Sequence, residues 1–314
     1  MAPSRVVAGA LLVAAVPAEL PPAVVLAALR VQDEAVLRIG ERLAVAGRPF
    51  CRDQAYSAGI TVQRLGQYGA RFRPAAAALL KLAEAPTVAI VNPGSAAEEA
   101  GVRPGDVLAS VDGDAVPVVP NRGDSGEYRG TARALDQMDA ALADGIVRLN
   151  VLREGQPLAL VLTGRLACRA RFDVRAGGGS NATADGLTIQ VSSKLVADAR
   201  GDGELAAILA HELAHNILRH PRRLKSKERG LSVRQTEVEA DQLSVYLLDA
   251  AGYAPADAIA FWSRWGRAND LGIFSDRTHP GWRKRADAIA AEAASIATRR
   301  AAGQPALPPP ALLP

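Results

Sequence analysis

The stretch "HELAHNILRH", from His211 to His220, decides the fold of the C-terminal half of this chain. Three of the four histidines in the 314 residues lie within it. Residues four apart share one face of an α-helix, so His211 and His215 can offer two imidazoles to one ion. Glu212 stands next to the first histidine, where its carboxylate can take a proton from a water at that ion. The pattern therefore predicts a catalytic metal site on a helix.

The same helix has predictable ends. Asp202 is expected to cap its start, and Pro221 follows its end. The extended form of the motif would need glycine at position 218 and histidine at position 221, where the chain has Leu218 and Pro221. His220 is therefore predicted to be a helix-end residue stabilised by the negative end of the helix dipole, and not a ligand.

A second amphipathic helix is predicted in "RQTEVEADQLSVYLLDAAG", residues 234–252. Glu237 and Asp241 stand four apart and share one face of it. Glu237 completes a His, His, Glu set that suits Zn²⁺ with one position open to water. Asp241 is expected to accept the free ring N–H of a ligand histidine and so fix its tautomer. Glu239 points away from that face and is the weaker candidate ligand.

The segment 60–165 is predicted to be a small β-rich domain. "TVAIV" at 87–91 is typical of a short buried strand, and Ser95 begins a helix through a capping box. A hairpin is expected around Gly155, between two apolar runs.

The centre of this domain, "NPGSAAEEAGVRPGDVLASVDG" at 92–113, resembles a PDZ domain of the bacterial protease-associated kind. The resemblance implies that an extended C-terminal peptide is added to a sheet edge, with "GQYG" at 66–69 as the carboxylate-binding loop. A spacer or lid is the alternative function for the domain.

The N-terminus carries an export pattern. One basic residue precedes an apolar run over 6–16, and small residues follow around Pro17. Residues 1–28 are therefore assigned to a cleaved signal peptide or to a retained anchor, and the expected location is the periplasm or the cell envelope. Two cysteines in an exported chain favour a disulfide between Cys51 and Cys168 over two buried thiols.

The remaining segments complete an α+β architecture, in which a mainly helical zincin-type metallopeptidase domain follows the PDZ-like domain. An N-terminal helix and connector occupy 29–59, the zinc metallopeptidase domain occupies 166–300, and a proline-rich tail, expected to be extended or disordered, occupies 301–314.

Three motifs in order, "HELAHNILRH", "EVEAD" and "THP", resemble the zinc metallopeptidases of the CAAX prenyl endopeptidase family, nearest to their exported bacterial branch. The resemblance also implies that His279 lines the cleft and steadies the oxyanion, and that Arg285 is a structural or substrate-side partner. The other motif residues carry over as zinc ligands at His211, His215 and Glu237, the general base at Glu212, and the acceptor of a ligand N–H at Asp241.

The expected function is hydrolysis of peptide bonds in envelope or misfolded proteins by a metal-activated water. A zinc-loaded but latent PDZ adaptor is the alternative, and a non-peptidase hydrolase stays open because ligands do not name the scissile bond. An intramembrane protease would need apolar spans around the motif, which the sequence after residue 30 does not contain.

The composition limits the classes of binding partner that are expected. The net charge is +4, and no basic motif with interleaved aromatic residues is present, so a nucleic-acid partner is not expected. The basic run at 219–229 is predicted to be a solvated loop, with peripheral contact to an anionic membrane as the alternative. "FWSRWGR" at 261–267 is predicted to be core and not a recognition stripe.

Overall fold

The computed structural model describes residues 20–177, 179–269 and 281–313, and they form a mixed α and β fold, as predicted. The helices are α1 (Pro22–Ala46), α2 (Arg73–Leu80), α3 (Ala96–Glu99), α4 (Arg129–Ala141), α5 (Ser193–Asp198), α6 (Asp202–Ile217), α7 (His220–Lys225), α8 (Val233–Ala250), α9 (Pro255–Asn269) and α10 (Trp282–Ala301). The strands are β1 (Gln54–Ser57), β2 (Ile60–Gln63), β3 (Thr87–Val91), β4 (Val107–Val111), β5 (Asp114–Ala115), β6 (Ile146–Arg153), β7 (Gln156–Thr163), β8 (Arg165–Cys168), β9 (Arg171–Arg175), β10 (Ala182–Ala184) and β11 (Thr188–Ser192).

The predicted β-rich domain is an antiparallel sheet in the spatial order β2, β3, β4, β6, β7, with β5 paired to β4. Alternate residues of β6 face inward, because side chains alternate between the faces of a strand. Val147, Leu149 and Val151 are thereby buried against Ala134 and Met138 of α4. Strands β6 and β7 form the expected hairpin, which turns at Glu154 and Gly155.

This domain is inserted between two strands that pair with each other. Strand β1 enters it, β8 leaves it, and the two run antiparallel side by side. Cys51 and Cys168 are joined by a disulfide at this base, with their Cα atoms 5.6 Å apart and 117 positions apart in sequence. Backbone hydrogen bonds between β1 and β8 and the disulfide therefore hold the two ends of the inserted domain together.

Helix α1 contacts both halves of the molecule. Its residues Ile39 and Leu43 lie in the same apolar core as α6 and α8, whereas Leu26 and Leu37 pack with α2. Gly40 allows α1 to approach β9 closely, since a Cβ there would meet the ring of Phe172 at 2.4 Å.

Helix α1 ends at Ala46 and begins at Pro22, so the predicted boundary between residues 28 and 29 falls inside it. The rest of the predicted signal peptide or anchor, residues 1–19, lies outside the described residues. Among the helices that the structure describes, none has the length and apolarity required to cross a membrane.

Helix α6 is the central element of the C-terminal half. Apolar residues cover nearly all of its faces, as expected for a helix enclosed by other elements. It packs against α1, α8 and α9, and strands β10 and β11 lie beside it. These strands belong to a three-stranded sheet in the order β10, β11, β9, so β10 lies at an edge.

One prediction about the chain after α6 is wrong. The basic run at 219–229 is not simply a solvated loop, because it contains α7, and its Arg223 pairs with Glu228 and Glu239. The proline-rich tail has little regular structure, yet Leu312 and Leu313 pack against the main core. Apolar contacts therefore hold the end of the tail in place.

Candidate metal centre

Helix α6 directs His211 and His215 to one side, at the spacing that the sequence predicts. The helix begins differently from the prediction: Gly201, with φ of 88°, occupies the cap position, and Asp202 is the first helical residue. Asp202 contributes instead through an ion pair with Arg38 of α1, with an N–O distance of 2.7 Å.

Helix α8 brings Glu237 to the two histidines. The Nε2 atoms of His211 and His215 are 3.2 Å apart, and the Glu237 carboxylate oxygens lie 3.2 Å from His211 Nε2 and 3.5 Å from His215 Nε2. Donors placed at the corners of a tetrahedron around Zn²⁺, each about 2.1 Å from it, would be separated by about 3.4 Å. The donor set therefore fits a single tetrahedral ion, with one corner left for a further ligand.

His211 is held from behind by a buried ion pair. Its Nδ1 lies 3.0 Å from Asp241 Oδ1, and Arg285 binds both oxygens of Asp241 at 2.6 and 2.8 Å. The Arg285 guanidinium also stacks over the ring of Trp262, 3.7 Å from its centroid. The contact predicted for Asp241 is thus present, and Arg285 binds Asp241 and also lines the cavity beside the metal donors.

His215 is held by a different route, which sequence reasoning missed. Its Nδ1 lies 2.9 Å from Nδ1 of His220, and Nε2 of His220 lies 3.0 Å from Oε2 of Glu239. His220 is only 1 % exposed and begins α7, so the prediction of a helix-end residue of α6 is wrong. Glu239 lies outside the ligand cluster, as expected, but contacts His220.

A cavity of 350 Å³ opens beside the three donors. Glu212 is partly exposed in its wall, and strand β10 forms another part of the wall. The prediction that the aromatic run is core holds for Phe261, which is fully buried, but Trp262 and Trp265 are partly exposed and also line this cavity. The cleft thus combines a carboxylate, an apolar wall and a strand.

The charges behind the two histidines differ, and so do their proton affinities. Burial opposes a charge on His211, but hydrogen bonds with Asp241 and Glu237 outweigh it and raise its pKa to about 9. Burial and the neighbouring His211 lower the pKa of His215 to about 3. Burial also favours the protonated form of Asp241, but the charge of Arg285 and the bond to His211 lower its pKa. Burial is the main cause that raises the pKa of Glu212.

One predicted site residue, His279, lies outside the described residues. Within the described residues, the structure brings together His211, His215, Glu237 and Asp241 as the spacing predicts. It places Glu212 in the wall of the same cleft.

The loop predicted to receive a peptide carboxylate forms backbone hydrogen bonds within the chain. Backbone amides within and next to "GQYG" donate inside the chain: Gln67 to the carbonyl of Arg64, Tyr68 to that of Leu65 and Ala70 to that of Asp124. The fully buried guanidinium of Arg64 fills the space behind the loop. The amides of Gln67, Tyr68 and Ala70 are therefore already bonded within the chain and are not free to receive a carboxylate.

The groove between β2 and α4, where a PDZ domain would add a peptide strand, is covered by the C-terminal half of the chain. A cavity of 140 Å³ lies there, bounded by both elements and by the start of β9. Arg171 of β9 forms ion pairs with Asp136 and Asp139 of α4, at 2.7 and 2.5 Å. These ion pairs join β9 of the C-terminal half to α4 beside the groove.

Comparison with known families agrees with this geometry. Residues 171–233 match peptidase family M48. The match spans α6 with His211, Glu212 and His215, and it ends before Glu237, so the third donor is located by the structure. Residues 87–122 match the PDZ domain. These matches indicate a metallopeptidase with a PDZ domain; zinc is the metal typical of M48 peptidases. No curated protein matches the chain in sequence.

Proposed function

We propose that this chain is an exported zinc endopeptidase that hydrolyses peptide bonds of envelope or misfolded proteins. The observation that carries the proposal is the triangle of His211, His215 and Glu237 donors, spaced for one tetrahedral ion, with Glu212 in the wall of the adjoining cleft. Zinc bound there would supply Lewis acidity for the water nucleophile and the scissile carbonyl.

The side chains have separate roles in this proposal. Glu212 takes a proton from the attacking water and returns it to the leaving amine. Asp241 and Arg285 hold His211 in place. The motif resemblance further suggests that His279 donates a hydrogen bond to the oxyanion.

A peptide substrate is supported by the edge position of β10. This strand pairs with β11 on one side and lines the metal cleft. An extended peptide can add to such an edge through backbone hydrogen bonds, which bind it with little dependence on sequence. The scissile bond would then lie along the cleft that holds Glu212. Broad use of unfolded or misfolded segments follows from this mode of binding.

The PDZ-like domain is assigned a role in handling protein substrates. Binding of a C-terminal peptide would require Arg171 to leave Asp136 and Asp139, because these ion pairs lie at the covered groove. The closed arrangement favours the lid or spacer function over permanent capture of peptide ends.

Export and family branch belong to the same proposal. The N-terminal pattern supports secretion, and a Cys51–Cys168 disulfide suits an oxidising compartment. The order of the "HELAH", "EVEAD" and "THP" motifs supports the exported branch of the CAAX prenyl endopeptidases. The exposed basic residues Arg222, Lys225 and Lys227 suit peripheral contact with an anionic membrane surface.

The rival function is a zinc-loaded adaptor that binds proteins without cutting them, and the covered PDZ groove is compatible with such latency. Incubation of the purified full chain with unfolded casein separates the two. The endopeptidase proposal predicts cleavage that stops when a chelator removes the metal and returns with added zinc. Full zinc occupancy without turnover of any unfolded substrate would favour the adaptor.

A further inference from the structure

The two candidate ligand histidines are supported by unequal arrangements. His211 donates directly to a carboxylate, that of Asp241, across 3.0 Å. His215 reaches a carboxylate only through a second imidazole, because His220 stands between it and Glu239. No motif identified in the sequence assigns a task to His220 or Glu239.

The hydrogen bonds from His215 through His220 to Glu239 are compatible with one placement of the ring protons. Nε2 of His215 faces the donor cluster, so this nitrogen must be unprotonated to serve a metal ion, and the proton lies on Nδ1. Nδ1 of His220 then accepts that hydrogen bond and is itself unprotonated. The remaining N–H of His220 is on Nε2 and donates to Glu239. One carboxylate thereby fixes the tautomers of two imidazoles.

The turn between α6 and α7 creates the contact between His215 and His220. The chain leaves α6 through Arg219, whose φ of 55° is left-handed, and this turn directs His220 back towards His215. Arg219 is held in the turn by Asp53, with N–O distances of 2.8 and 3.1 Å. A left-handed conformation is unfavourable for a residue with a Cβ. At Arg219 this conformation occurs together with the ion pair to Asp53 and the burial of His220.

Glu239, the last group in this series of hydrogen bonds, is held in place as well. Arg223 donates to Oε2 of Glu239 at 3.0 Å and also to Glu228 at 3.0 and 3.1 Å. Gln235 donates to the other oxygen of Glu239 at 3.2 Å. Both carboxylate oxygens are therefore occupied, and Glu239 has little freedom to turn away from His220.

We propose that His220 and Glu239 are positioning residues that fix the ring orientation and tautomer of His215, so that its Nε2 is presented to the metal. The inference rests on the metal site of the proposed function. It assigns neither residue to the metal or to the substrate.

The test is zinc affinity of the full chain, measured by competition with a chromophoric chelator, without substrate. His220→Leu and Glu239→Leu are expected to weaken zinc binding by roughly 10- to 100-fold, the usual effect of losing the partner of a ligand histidine. His220→Asn, whose amide oxygen can replace Nδ1 as acceptor, should restore affinity to within about 3-fold of the parent. Glu228→Leu is the matched control, because Glu228 also binds Arg223 but does not contact His220.

Unchanged affinity in a folded His220→Leu protein would overturn the inference. Affinity as weak in His220→Asn as in His220→Leu would also overturn it, because packing and not the acceptor would then matter. If His220→Leu does not fold, Glu239→Leu against Glu228→Leu decides the question. A parent that binds zinc without cleaving protein would refute the proposed activity and leave this test valid.

Discussion

Loss of the Arg285 charge should destabilise the protein strongly, even without metal. Arg285→Met removes a guanidinium that makes two hydrogen bonds to Asp241, at 2.6 and 2.8 Å, from a position only 5 % exposed. Asp241, itself 3 % exposed, would keep its place and its contact with His211 at 3.0 Å, but it would lose both hydrogen bonds from the guanidinium. Breaking a buried ion pair from one side costs up to about 3–5 kcal/mol, because the remaining charge is desolvated and has lost its main counter-charge. Methionine preserves most of the apolar contact with Trp262, so the loss reports mainly on charge.

The assay is urea unfolding in the presence of a chelator, so that zinc binding does not contribute. The control is Lys284→Met on the exposed face one position earlier, which should change the free energy of unfolding by less than about 0.5 kcal/mol. In an Asp241→Asn background, Arg285→Met should cost much less, because the orphaned charge is gone. A loss below about 1 kcal/mol for Arg285→Met, or equal losses in both backgrounds, would refute the reasoning.

Three further predictions concern the inserted domain and its boundary. Replacement of Cys51 and Cys168 by serine should lower the free energy of unfolding by up to about 5 kcal/mol, since the bond joins residues 117 positions apart; a denaturation curve equal to that of the parent would contradict this. Burial, followed by repulsion from a nearby aspartate, raises the pKa of Asp33 to about 7, so the folded state holds this proton to higher pH than the unfolded state and loses stability as pH rises from about 4 to 7. Asp33→Asn should therefore be more stable than the parent at pH 8, by up to about 4 kcal/mol, with the advantage vanishing towards pH 4; a difference independent of pH would oppose that assignment. Arg171→Ala should speed amide hydrogen exchange in α4 and β2, whereas Arg133→Ala on the exposed face of α4 should not; unchanged exchange in Arg171→Ala would show that these ion pairs do not hold the groove closed.

The clustering of the candidate metal ligands could be predicted from the sequence because local geometry determines it. His211 and His215 are four apart on one helix, and Glu237 and Asp241 are four apart on another, so each pair shares a face before any tertiary structure is known. Packing of α6 against α8 then brings the two faces together.

The support of His215 could not be predicted in the same way. It depends on the left-handed turn at Arg219, and arginine carries no preference for that conformation. A helix continued to Pro221 is the simpler interpretation of the sequence, and it directs His220 elsewhere. The ion pairs of Arg171 with α4 were hidden for a related reason, because they join segments more than thirty residues apart in two halves of the chain.

The central claim, that the "HELAH" helix is catalytic, is tested most directly by Glu212→Gln. Parent and variant are compared for cleavage of unfolded casein, with the zinc content of both proteins recorded. The account predicts equal zinc and a rate at least about 100-fold lower in the variant, because a general acid–base group contributes about 10²–10⁴ in rate. Cleavage at the parental rate by a zinc-loaded Glu212→Gln protein would contradict it.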